Sequence, residues 1–133
     1  FAAAATLTSV AGELSLTGAL AAGGHTLTVN GAGDLVFAST LADAVDLVKT
    51  GAGKLTFSAD QVFSGEVTLG GGTLAFADAD VSIATLRVTA DSILDFGGTS
   101  VLTVGQLILD LADGQLLTIT SWQDYTDFFY ATE

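Results

Sequence analysis

The chain has 133 residues, 50% of them apolar and 14% charged, with 15 acidic against 3 basic side chains and a formal charge of -12. That length suits one domain, and a negative field of this size excludes a nucleic-acid surface and opposes anionic membranes. Cysteine is absent, which removes disulfide and thiolate chemistry, and no run of 18 uninterrupted apolar residues predicts a membrane helix.

Taken in order, the chain divides into short strand-like runs separated by glycine. Residues 1–22 carry TLTSV and ELSLT after an Ala-rich start. The FAAAA start without Met reads as a mature end left by signal cleavage or as the edge of an excised segment. Residues 23–44 hold TLTV, an NGAG corner and DLVF, and Asn30 before Gly31 is a strong turn signal. Residues 45–64 place Gly51 and Gly53 at the equivalent corner, and residues 65–83 place Gly70, Gly71 and Gly72 there. In residues 84–104, Ala90 and Asp91 replace those glycines and Gly97–Gly98 makes the later corner. The sixth unit starts at Gly105 and runs through LILD to LLTIT.

These runs repeat. One apolar column is Leu7, Leu27, Leu47, Val67, Leu86 and Leu107; a second is Leu14, Leu35, Leu55, Leu74, Leu94 and Leu116. A third is Leu20, Leu41, Val62, Val81 and Val101. Each column recurs about every 20 residues. Leu16, Phe37, Phe57, Phe76 and Phe96 follow the second column by two positions, hence on the same side of a strand. Runs such as LTFS and VTLG are too short for helices and lack a 3.6-residue period. A hairpin meander does not require one constant period in three columns, whereas a coil of stacked parallel strands does. The predicted fold is therefore all-β: a right-handed single-stranded parallel β-helix, a β-solenoid with three strands per rung and about six rungs. Its handedness follows the crossover rule. Residues 1–120 form the helix.

Residues 121–133, SWQDYTDFFYATE, break the pattern and bring Trp122, Tyr125, Phe128, Phe129 and Tyr130 together. Aromatics this dense suit either a cap over the last rung or a contact with another subunit or domain.

KTGAGKLTFSADQVFSGEVTLGGGTLAF resembles the passenger-associated repeat of bacterial autotransporters, through Gly51, Gly53, Leu55, Thr56, Phe57, Phe63, Gly65, Val67, Gly71, Gly72, Thr73 and Leu74. Gly70 stands where that repeat usually has Asn. The resemblance implies a right-handed parallel β-helix displayed outside the cell. It leaves function open among adhesins, proteases and spacers.

No enzyme chemistry is expected, and no cofactor or metal. Asp34, Asp46, Asp78, Asp80, Asp91, Asp95, Asp110 and Asp113 read as solvated corner residues rather than a catalytic pair. His25 reads as a turn residue, and calcium at Asp78, Asp80 or Asp110 lacks a binding motif. GAGKL lacks the residues of a phosphate loop, and Lys54 is expected to face Asp34 across adjacent rungs. The Thr-Leu-Thr runs at 6–8 and 26–28 resemble ice-binding arrays but stop after two rungs. The leading expectation is an extracellular structural solenoid on the bacterial surface: a fibre subunit associating head to tail through its open ends, or an adhesin stalk. The alternative is a module binding glycan or a cell-surface protein through Phe63, Trp122 or Tyr125.

Overall fold

A computed structural model describes residues 2–43, 46–124 and 126–132. Alternating apolar side chains and glycine corners produce 15 strands among them. The first coil contains β1 (Ala5–Thr8), β2 (Glu13–Leu16) and β3 (Leu20–Ala21); the second contains β4 (Leu27–Asn30), β5 (Asp34–Phe37) and β6 (Leu41–Ala42). The third begins with β7 (Leu47–Thr50) and β8 (Lys54–Phe57). Thereafter the third face of one coil runs on into the first face of the next, as β9 (Gln61–Gly70), β11 (Asp80–Val88) and β13 (Val101–Leu109). The second face is completed by β10 (Gly72–Ala77), β12 (Ser92–Gly97) and β14 (Leu117–Thr120), and β15 (Phe128–Ala131) ends the chain's strands.

Every strand pairing is parallel. The first and third faces share a seven-stranded sheet ordered β1-β4-β7-β9-β11-β13-β15, the second face stacks as β2-β5-β8-β10-β12-β14, and β3 pairs β6. This is the right-handed single-stranded parallel β-solenoid expected from the period together with the crossover rule. Six strands on the second face, at about 4.8 Å spacing, give a stack about 24 Å long. The long strands bend where one face meets the next, and β9 and β11 slip register between Ile83 and Thr85. At the same bend of β13, a Cβ on Gly105 would stand 2.6 Å from the Ala84 carbonyl oxygen, so the coils touch too closely there for a side chain.

Most of the columns stand. Leu27, Leu47, Val67, Leu86 and Leu107 stack in register, as do Leu14, Leu35, Leu55, Leu74 and Leu94. The ends are different. Leu7 stacks on Val29, and it is Ala5 that meets Leu27, because the first coil contains extra residues before β4. Leu116 is exposed, and Ile119 takes its place above Leu94 after the longer loop of residues 110–116. On the third face Val62 and Val101 are out by one. Val81 pairs Gln61 below and Leu102 above, and Leu102 pairs Phe129.

Gln61 holds this core position because its amide is fully occupied. Its Oε1 accepts the Leu41 N–H at 2.9 Å, and its Nε2 donates to the Ser39 and Ala59 carbonyls at 3.0 and 3.2 Å. Burial of a polar amide is inexpensive only with such partners. Lys49 is the second polar insertion. It lies in the column of Val29 and Leu69, buried, with Nζ donating to the Thr50, Gly51 and Gly71 carbonyls at 3.1, 3.0 and 3.4 Å. Burial pushes its pKa below 10.5, and the charge of Asp34 opposes that shift.

The phenylalanines form one internal file. Ring centroids are 6.0 Å apart from Phe37 to Phe57, 6.5 Å from Phe57 to Phe76 and 5.1 Å from Phe76 to Phe96. Phe63 packs against Phe57 at 5.7 Å and is buried, so it offers no outer contact surface.

Candidate functional site

The four described aromatic residues of the final segment, Trp122, Phe128, Phe129 and Tyr130, do not form one cluster. Ser121 adopts a left-handed φ of 57°, which turns the chain off the second face. The Trp122 ring then lies edge-on to Phe96 at 5.2 Å and extends the aromatic file, while its Nε1 donates to Asp124 Oδ1 at 3.1 Å. Trp122 remains 43% exposed. Asp127, buried, ties the segment down: Oδ1 accepts the Ser100 N–H at 3.1 Å and Oδ2 the Gln123 N–H at 2.7 Å. That anchor sets β15 on the third-face half of β13. Phe129 then points inward and packs against the core.

Phe128 and Tyr130 point outward. Their rings are 6.0 Å apart and nearly parallel, at 5°, and the side chains are 41% and 53% exposed. Tyr125 lies outside the described residues. Trp122 and Phe129 thus cover the last coil, and Phe128 with Tyr130 makes the outer aromatic surface.

The acidic residues have a structural job that their sequence positions did not disclose. Asp34 Oδ1 accepts the Lys54 N–H at 2.9 Å, Asp46 the Glu66 N–H at 2.7 Å, and Asp60 the Asp80 N–H at 2.8 Å, each one coil onward. Asp78 does the same for Thr99 and Asp91 for Leu116, both at 2.8 Å. At a corner the backbone leaves the ladder, and a short carboxylate supplies the missing acceptor. Lys54 does not put its ammonium on Asp34. Only its backbone reaches that carboxylate, and Nζ stands 3.8 Å from Asp95. Arg87 Nε donates to Glu66 at 3.0 Å, with Nη1 3.8 Å from Asp110. The hydrogen bond to Arg87 holds the Glu66 carboxyl below its usual value of 4.5, against a smaller desolvation effect.

Among the described residues, shallow grooves open on the outside at two places. One, of about 450 Å³, lies beside Thr73, Ile93, Leu116 and Thr118, and its carboxylate, Asp91, is bonded to the Leu116 amide. The other, of about 320 Å³, runs along the third face past Asp60, Val62, Asp80, Ser82, Val101 and Thr103. Neither gathers a nucleophile, base and orienting partner. His25 is part of a turn, with its N–H on the Ala22 carbonyl. Among the described residues no group of three or more His, Cys, Asp or Glu side chains could hold a metal ion, and no helix is long and apolar enough to cross a membrane.

Residues 47–76 match the family model described as passenger-associated-transport-repeat. That stretch runs from β7 to Phe76 in β10, and it includes Lys49, the Gly51 and Gly71 corners and two members of the phenylalanine file. No curated protein and no solved structure matches the chain. Set within a coil of parallel strands that continues on both sides of it, this one repeat supports the chain's similarity to an autotransporter passenger domain.

Proposed function

We propose that the chain is a structural rod segment displayed outside the cell on the bacterial surface, built to be continued at its ends as a fibre subunit or an adhesin stalk. The observation that carries this reading is a core column whose end members are left half-open. Leu35, Leu55, Leu74 and Leu94 are buried in the second-face column, yet Leu14 at one end is 39% exposed and Ile119 at the other 42%. Each end coil also presents a strand edge able to pair with one more parallel strand. A head-to-tail contact of this kind does not close on itself and therefore propagates. The described residues of the final segment, 121–124 and 126–132, act as a partial cap: they close the third face and the aromatic file and leave the outer edge of β14 without a further described strand.

Negative-stain imaging and sedimentation over a range of concentrations test the reading. Rods joined end to end are expected, and added salt should favour them by screening the repulsion between copies of charge -12. Uniform monomers at high concentration and high salt would overturn the fibre version.

A second reading, a surface that binds glycan or a cell-surface protein, is favoured by one observation. Phe128 and Tyr130 form a parallel, outward-facing aromatic pair.

A further inference from the structure

The register of the third face places outward side chains in two files along the rod. Phe128 sits over Val101 and Val101 over Asp80, whose N–H is held by Asp60 one coil below. Alongside, Tyr130 sits over Thr103, Thr103 over Ser82 and Ser82 over Val62, which is 66% exposed. The 320 Å³ groove occupies the lower part of this lane, and the aromatic pair stands at its upper end. We propose that the lane binds a neutral, hydroxyl-rich polysaccharide laid along the rod axis. This rests on the binding reading above and does not depend on end-to-end assembly.

The chemistry selects that occupant. The exposed, stacked rings of Phe128 and Tyr130 offer apolar surface to the aliphatic face of a sugar ring. Asp80, Ser82, Thr103 and the Tyr130 hydroxyl offer acceptors and donors to ring hydroxyls. The lane contains no cation. Lys49 is buried, Lys54 stands beside Asp95, and Arg87 is held by Glu66. With Asp60 and Asp80 in it and a chain charge of -12, the lane repels uronic acids, sulfated glycans and phosphate polymers. The strand spacing sets a repeat of about 4.8 Å along the lane, so successive sugar units meet successive coils.

The test is binding of the full chain to immobilised neutral glycans, with oligogalacturonate and a lysine-rich peptide as charged controls. Retention of at least one neutral glycan and none of the oligogalacturonate is expected. The Phe128→Ser, Tyr130→Ser double variant should weaken binding about tenfold or more. Val62→Glu, at the opposite end of the lane on an already exposed position, should weaken it too while the circular-dichroism melt is unchanged. This second variant keeps the test sound if the aromatic double variant loosens β15. Failure to bind any neutral glycan, equal binding by wild type and Val62→Glu, or preference for the lysine-rich peptide would overturn the proposal. None of these results bears on whether rods form, so the two readings fail separately.

Discussion

Replacing Phe57 with alanine tests the stacked core most directly. Phe57 is fully buried, and three rings surround it: Phe37 at 6.0 Å, Phe63 at 5.7 Å and Phe76 at 6.5 Å. Loss of a buried phenylalanine costs about 3–5 kcal/mol. The upper half of that range applies here, because the neighbours belong to coils fixed above and below by strand pairing and cannot collapse into the space. For a chain of this length each kcal/mol corresponds to about 3–4 °C in Tm, so a fall of about 12–20 °C is expected. Leu14→Ala is the internal control. Leu14 belongs to the adjacent column but lies at the exposed end, and its truncation should cost about 1 kcal/mol or less. Thermal and urea unfolding followed by circular dichroism measure both. Equal losses for the two variants, or a loss below about 1 kcal/mol for Phe57→Ala, would refute a core that strengthens toward the middle of the rod.

Four further outcomes follow from the same geometry. Asp34→Ala should cost about 1 kcal/mol by leaving the Lys54 N–H without its acceptor, while Asp34→Asn, which keeps an oxygen there, should recover most of it in urea titrations. Gly53→Ala should cost about 1–3 kcal/mol, since its Cβ would run into the Gly33 carbonyl of the coil below; wild-type stability would show that the corners are not in contact. Lys49 binds fewer protons folded than unfolded once pH enters the window between its lowered folded value and 10.5, so stability should rise with pH across that window, and the rise should vanish in Lys49→Met. Glu66, whose folded value is also lowered, has a dependence of the same sign in the acid range: its contribution is present above 4.5 and disappears as pH falls through the depressed folded value, and Glu66→Gln should flatten that part of the urea-midpoint profile.

What the sequence made legible was whatever repeats in apolar residues. The columns through Leu47, Val67, Leu55, Leu74 and the phenylalanine file could be read because one residue type returns at one spacing, and side-chain stacking is the physical cause of that return. The errors occur where the coil changes length or a polar side chain occupies an inward position. The extra residues before β4 displaced Leu7, and the loop of residues 110–116 displaced Leu116. Gln61 and Lys49 are core residues only because carbonyl and amide groups from neighbouring corners satisfy them, which no hydropathy pattern reveals. Missing Gln61 shifted the third column by one residue and turned Phe63 from a buried ring into an expected contact. The final segment showed its aromatic density but not its division into inward Trp122 and Phe129 and outward Phe128 and Tyr130. That division is set by the Asp127 anchor and the register of β15.

The backbone bonds between coils all lie along the rod, and this has a mechanical result. A load drawn between the two ends of the polypeptide meets those bonds a few at a time, as a zipper does, rather than all together as in sheared strands. Under tension the molecule should therefore unwind loop by loop. Each release would free about 20 residues of thread, roughly 65–70 Å when fully extended, so the segment would lengthen in a staircase and not part at once.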